Sequence, residues 1–140
     1  SGDGIDLSGS NIIIKNNKIF NSNDKGLSIG EKSKVLVEKN YFEGNKTAIA
    51  IKDESKSYII KNEYFNNELN YSMYIKKFIF DKPNLYLNKN DYTNEEITLL
   101  GKKKNITNFQ FDEGEIYFID KLNQKSFYER FKNEITSSRI

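Results

Sequence analysis

The chain has 140 residues, 36% hydrophobic and 30% charged, with 22 Lys and Arg against 20 Asp and Glu. A formal charge of +2 implies no strong attraction to nucleic acid or anionic lipid, and no apolar run is long enough to insert in a membrane. With neither cysteine nor histidine, the chain lacks disulfides, thiolate chemistry and the commonest acid-base group.

At the N-terminus, Gly4-Ile5-Asp6-Leu7 places apolar residues two apart, the period of a strand with one buried face. Ile12-x-Ile14 reads as a second strand, Asn17 as a corner and Ile19 as a third inward position. The arrangement then recurs. Gly26-Leu27-Ser28-Ile29 leads to Val35-x-Val37, Asn40 and Phe42, and Ala48-Ile49-Ala50-Ile51 leads to Tyr58-x-Ile60, Glu63 and Phe65. Ser72-Met73-Tyr74-Ile75 leads to Leu85-x-Leu87, Asn90 and Tyr92, and Glu96-Ile97-Thr98-Leu99 to a weaker Ile106-x-Asn108. From Ile5 to Leu27, Ile49, Met73 and Ile97 the steps are 22, 22, 24 and 24.

A period in this range signals a solenoid whose repeats bury their core only against neighbours. Gly and Asn at the corners tolerate the left-handed backbone of sharp bends. The fold class expected is all-β, with about five coils over residues 1–111 stacking into three parallel sheets. Helical periodicity is missing from the first four repeats and the leucine-rich consensus is absent, which excludes ankyrin and leucine-rich arrays.

From Asp112 the register dissolves through Glu115-Ile116-Tyr117-Phe118-Ile119, so residues 112–140 are expected to form a C-terminal cap. Phe127, Phe131 and Ile135 at i, i+4 and i+8 predict an amphipathic helix over about 125–137. Ser126 with Glu129 reads as a capping box. This helix is expected to cover the last coil. The first coil begins almost at once, and an open end exposes apolar core and unpaired strand edges. Further coils upstream of Ser1, or a second copy in a homo-oligomer, are expected there. Alternation also turns Ile13, Leu36, Ile59 and Tyr86 outward on the second sheet, an apolar stripe where solvent is expected. Three readings stand: the C-terminal helix covers it, a missing segment or second chain docks there, or it reflects β-propensity alone.

The stretches GIDLSGSNIIIKNNKIF, KGLSIGEKSKVLVEKNYF and AIAIKDESKSYIIKNEYF resemble the right-handed parallel β-helix of the pectin-lyase-like superfamily, over roughly residues 2–111. Asn23-Asp24-Lys25-Gly26 with Gly30-Glu31-Lys32-Ser33 also resembles β-helix regions of large bacterial surface proteins, which implies an exported, extracellular or cell-surface protein. The superfamily includes lyases, hydrolases, epimerases, tailspikes and inactive modules, so the resemblance implies fold before activity.

The resemblance further implies a substrate groove outside the first sheet. That face is expected to carry Gly4 and Asp6, Gly26 and Ser28, Ala48 and Ala50, then Ser72 and Tyr74. For a polysaccharide, Tyr74 would stack on a ring, Asp3 and Asp6 would accept from hydroxyls, Ser28 would line the floor, and Lys25, Lys52 and Lys76 would meet uronate carboxylates. The superfamily's catalytic patterns rely on an in-coil arginine or on histidine; the arginines here are Arg130 and Arg139 only. No catalytic residue is therefore assigned, Asp3 and Asp6 being the weak candidates for a paired acid and base. Calcium needs six to eight oxygens; Asp3, Asp6 and Asp24 could contribute, but no EF-hand or glycine-aspartate nonapeptide pattern is present, so no cofactor is expected and calcium is only a weak alternative. The corner residues Asn17, Asn40 and Asn90 read as a structural ladder. Asn45-Lys46-Thr47, Asn70-Tyr71-Ser72 and Asn105-Ile106-Thr107 match the glycosylation pattern at the frequency an asparagine-rich chain gives by chance, and Lys102-Lys103-Lys104 reads as a solvated corner. The expected function is a non-catalytic scaffold or carbohydrate-contacting module. The alternatives are a polysaccharide lyase, epimerase or hydrolase, and an assembly module joined through the open coil or the apolar stripe.

Overall fold

The computed structural model describes residues 2–89 and 109–137. Three strands make each complete turn: Ile5–Ser8 (β1), Asn11–Lys15 (β2) and Lys18–Phe20 (β3), then Lys25–Gly30 (β4), Lys34–Glu38 (β5) and Tyr41–Glu43 (β6), then Thr47–Lys52 (β7), Lys56–Ile60 (β8) and Glu63–Phe65 (β9). Leu69–Tyr74 (β10) and Asn84–Asn88 (β11) continue the path, followed by Phe109–Phe111 (β12) and Glu115–Ile119 (β13). Every pairing is parallel. The first sheet runs β1-β4-β7-β10-β12, the second β2-β5-β8-β11-β13 and the third β3-β6-β9. The all-β solenoid with three parallel sheets is thus present, with three complete turns among the described residues.

Inward residues stack rung on rung. Ile5, Leu27, Ile49, Tyr71 and Phe109 form one column of the first sheet, and Leu7, Ile29, Ile51, Met73 and Phe111 the next. Both columns line the core, with Leu27, Ile29, Ile49, Ile51 and Met73 fully buried. Here the fourth repeat corrects the spacing expected: Tyr71, not Met73, lies over Ile49, so the step stays at 22. The first sheet's fifth strand is β12, and β13 extends the second sheet where the register was expected to dissolve. The sequence markers at 90–108 lie outside the described residues.

The third turn holds the main correction. β5 meets β8 with Val35 on Ser57, Leu36 on Tyr58 and Val37 on Ile59, a step of 22 where β2 to β5 takes 23. One residue reverses every side chain between the faces of a sheet. Ile59 therefore enters the core, and Tyr58 joins Ile13, Leu36 and Tyr86 outside. The same slip puts Tyr64, not Phe65, on Phe42, their rings stacked at 5.6 Å. It also puts Asn62, not Glu63, at the corner.

That corner is a hydrogen-bonded ladder. Asn40 Oδ1 accepts from the Asn17 backbone N–H at 2.9 Å, and Asn62 Oδ1 accepts from that of Asn40 at 2.8 Å. Asn40 Nδ2 donates to Ile14 O and Asn62 Nδ2 to Val37 O, each at 2.9 Å. A second ladder, unforeseen from sequence, occupies the next corner. Asn45 Oδ1 accepts from Ser22 N–H at 3.0 Å, and Asn45 Nδ2 donates to Ile19 O at 3.1 Å and to Asn67 Oδ1 at 3.0 Å. Asn45 is 1% exposed, so its glycosylation pattern is sealed inside the corner.

The C-terminal helix, Gln124–Ser137 (α1), lies on the outside of the second sheet. Phe131 and Ile135 pack with Leu36, Tyr58 and Ile60, flanked by Ile13, Tyr86, Phe127 and Tyr128. The apolar stripe is covered from within the chain. Tyr58 meets the Phe127 ring edge-on at 4.9 Å and the Phe131 ring at 5.6 Å. Tyr128 Oη donates to Glu38 at 2.7 Å, and Lys34 pairs with Glu134 while its ammonium sits 4.9 Å from the Phe131 ring. The helix leaves β13 through a 3-10 turn, Lys121–Asn123, and reaches back to β2 and β5. Ser126 is not its N-cap but lies inside it, its hydroxyl donating to Asn123 O at 3.1 Å.

Candidate functional site

The outer face of the first sheet carries an in-register row: Asp6, Ser28, Ala50, Ser72 and Gln110. Beside it, Ser8 aligns with Gly30 and Lys52 with Tyr74. Small residues permit this density, but the row is not an open floor. Ser28 and Ala50 are fully buried and Ser72 nearly so. Lys52 lies across the sheet, its Cε 3.0 Å from where a Cβ on Gly30 would stand. Ser28 lies beneath the surface and out of a substrate's reach; its hydroxyl has no hydrogen-bond partner among the described residues. Gly4, Gly26 and Ala48 also depart from the expected outward column. A Cβ on Gly4 or Gly26 would meet the Ile19 side chain, and Ala48 belongs to the core.

What remains accessible is a charged border. Asp6 and Lys76 are exposed, Lys25 and Tyr74 half-buried, and Lys52 only 8% exposed. Burial pushes the Lys52 ammonium down, with the like charges of Lys76 and Lys25 adding to it and Asp6 and Asp3 opposing. Burial likewise pushes the Tyr74 hydroxyl up, against the pull of the neighbouring Lys25 ammonium. Lys25 is bound to Asp24 at 2.8 Å, which holds the Asp24 carboxyl below its ordinary value. Lys25 itself, opposed by burial but favoured by Asp24, stays above the ordinary ammonium value. Lys52 and Lys76 have no ion-pair partner among the described residues.

Of the two weak catalytic candidates, Asp3 Oδ1 accepts the backbone N–H of Lys25 at 3.1 Å, a tie between first and second coils. Asp6 lies on the exposed end of the outer row, and both carboxylates act on the Lys52 ammonium. No group of three or more acidic side chains among the described residues could hold a metal ion, so Asp3, Asp6 and Asp24 do not converge as a calcium site. Chemically the face offers ammonium groups and a phenol able to receive a carboxylate. Asp53, which sequence reasoning passed over, is buried behind it and accepts from the backbone N–H groups of Lys76 and Lys77 at 2.7 and 3.0 Å. It fixes the start of the loop that carries Lys76. The sequence signal was an Asp in the turn between two strands, where Asp is favoured; the structure gives Asp53 and Glu54 positive φ there. No described helix is long and apolar enough to cross a membrane.

A family model described as a right handed beta helix region matches residues 1–120. No curated protein and no solved structure matches the chain.

Proposed function

Since the chain belongs to the right-handed β-helix family, we propose that it serves as a rigid, non-catalytic scaffold that holds acidic polysaccharide against its first sheet. The observation that carries this reading is Lys52, nearly buried beside Tyr74 and flanked by Lys25 and Lys76, with no ion-pair partner among the described residues. An ammonium partly withdrawn from water, with Asp6 and Asp3 near it but no direct ion pair among the described residues, is costly to keep charged. A uronate carboxylate arriving at this border supplies the missing partner, while the half-buried Tyr74 ring offers a face to the sugar. Asp6 accepts from hydroxyls at the edge. An exported, cell-surface setting accords with such a ligand.

Affinity electrophoresis in polygalacturonate and alginate, beside neutral glucan, tests the reading. Retardation is expected in the acidic polymers alone, weakened several-fold by Lys52→Gln, since a paired ammonium contributes about 1 kcal/mol or more once desolvated. Equal mobility in all three gels would overturn it, and product release would point instead to an enzyme.

A second reading rests on the first coil. Ile5, Leu7 and Ile12 are only partly buried while their rung partners Leu27, Ile29 and Val35 are sealed. The outer edges of β1 and β2 have no strand partner among the described residues. This supports coil-on-coil stacking, with further coils or with a second copy. Sedimentation that stays monomeric up to high concentration would remove the second-copy version.

A further inference from the structure

We propose that the third sheet carries a second polyanion surface, taking an acidic polysaccharide chain along the solenoid axis. The inference borrows only the polymer class from the reading above and rests on different residues. Beside the third sheet runs a groove of about 330 Å³ lined by Asn16, Lys18, Lys39, Tyr41, Lys61 and Glu63, among others. Three lysines line it against one acid. Lys18, Lys39 and Lys61 have no ion-pair partner among the described residues, whereas Lys15, Lys25, Lys32, Lys34 and Lys77 are each paired.

Their placement is built into the corners. Asn16, Lys39 and Lys61 occupy the same corner of successive turns, with φ of 60, 58 and 57°. Lysine holds that left-handed backbone at a cost asparagine would reduce, and the first turn indeed uses Asn16. Stacked corners repeat at about 4.8 Å, so Lys39 and Lys61 present two like charges side by side. That arrangement repels itself until an anionic chain lies across it.

Across the three-residue strands lies an apolar border. Phe20 and Phe65 point outward, 48% and 54% exposed, on rungs separated by Glu43. Tyr41 joins border and groove, its ring 5.9 Å from that of Phe20 and its hydroxyl donating to Glu43 at 2.6 Å. A uronate polymer has both features to match: carboxylates along its edges and apolar ring faces. Single-stranded nucleic acid also stacks on aromatics, but a phosphate-tracking groove favours arginine, and none lies here.

Titration calorimetry with a defined oligogalacturonate, a neutral oligomer of equal length and a single-stranded oligonucleotide tests the assignment. The intact chain is expected to take the uronate at two classes of site. Lys39→Asn with Lys61→Asn should weaken one class about five-fold or more, for two exposed charge contacts, and flatten its salt dependence. Phe65→Ser should weaken the same class. The paired asparagine variant should keep or raise its melting temperature, because asparagine suits the backbone. If binding survives Lys52→Gln but weakens with the Lys39/Lys61 pair, this surface stands and the first-sheet reading falls. If Lys52→Gln alone abolishes binding, or the Lys39/Lys61 pair and Phe65→Ser leave it unmoved, or the oligonucleotide binds in preference, the inference is overturned.

Discussion

Truncating Asn45 to alanine isolates what the buried ladder contributes. The side chain makes three hydrogen bonds, one from Ser22 N–H and two from its own amide to Ile19 O and Asn67 Oδ1, all within 3.0–3.1 Å. At about 1 kcal/mol net per bond the loss is roughly 3 kcal/mol, and stranded partners that water cannot reach raise it toward about 5. Asn17→Ala is the internal control. It occupies the exposed first rung, and its amide donates to Lys15 O and Asn40 Oδ1 at 3.1 Å where water can substitute. Its loss should stay near 1 kcal/mol or below. Urea unfolding followed by circular dichroism gives both values from midpoint and slope. Equal losses for the two variants, or a loss under about 1 kcal/mol for Asn45→Ala, would refute the idea that corner amides, rather than core packing alone, hold the coils in register.

Phe131→Ala should cost about 3–5 kcal/mol, because the ring is 4% exposed against Tyr58 and Tyr86; denaturant melts of the purified variant measure it. Leu36→Lys puts an ammonium into the fully buried seam beneath α1, and limited proteolysis should then cleave the helix at concentrations that leave the parent intact. Burial, with the bond to Glu38, raises the Tyr128 hydroxyl to about 12. The neutral phenol is favoured by folding, so its contribution is full below the unfolded tyrosine value near 10 and fades as pH rises from there through about 12. Melting curves for Tyr128→Phe should therefore converge on the parent's as pH climbs across that window. Gly26→Ala should destabilise by about 1–3 kcal/mol, since the new Cβ would stand 2.8 Å from Ala48 O; thermal unfolding checks it.

The period, the parallel stacking and the first sheet's inward columns in the first two turns were readable because Asp6 and Ser28 interrupt the apolar residues of β1 and β4, whereas Ile12-Ile13-Ile14 and Val35-Leu36-Val37 are apolar on both faces and were aligned by their shared corner asparagines Asn17 and Asn40. The third turn was not. Tyr58, Ile59 and Ile60 are all apolar since the second sheet is buried twice, by the core within and by α1 outside. A strand buried on both faces loses the alternation that fixes its register, and a 23-residue step fitted as well as the true 22. The error then carried through Asn62 and Tyr64. Asn40 and Asn62 are 22 apart, as are Asn45 and Asn67, so the paired asparagines held the register that the apolar residues hid. The candidate face was half legible. Lys52 and Tyr74 could be placed by alternation, but nothing in a one-dimensional pattern says that the Lys52 side chain lies against Gly30 or that Ser28 is fully buried.

A solenoid of parallel coils is mechanically a stack, in which each unit feels only the units above and below. The returning helix changes that connectivity. By leaving β13, lying across Tyr86 of β11 and Tyr58 of β8 and reaching β2 and β5, α1 ties the last described turn directly to the first two as well as to those between. The chain becomes a closed circuit, and the first coil cannot fray without prising up a helix rooted at the other end. Stability that would otherwise thin out toward the terminal strands is shared along the whole axis, so the molecule is expected to melt as one unit instead of unzipping turn by turn.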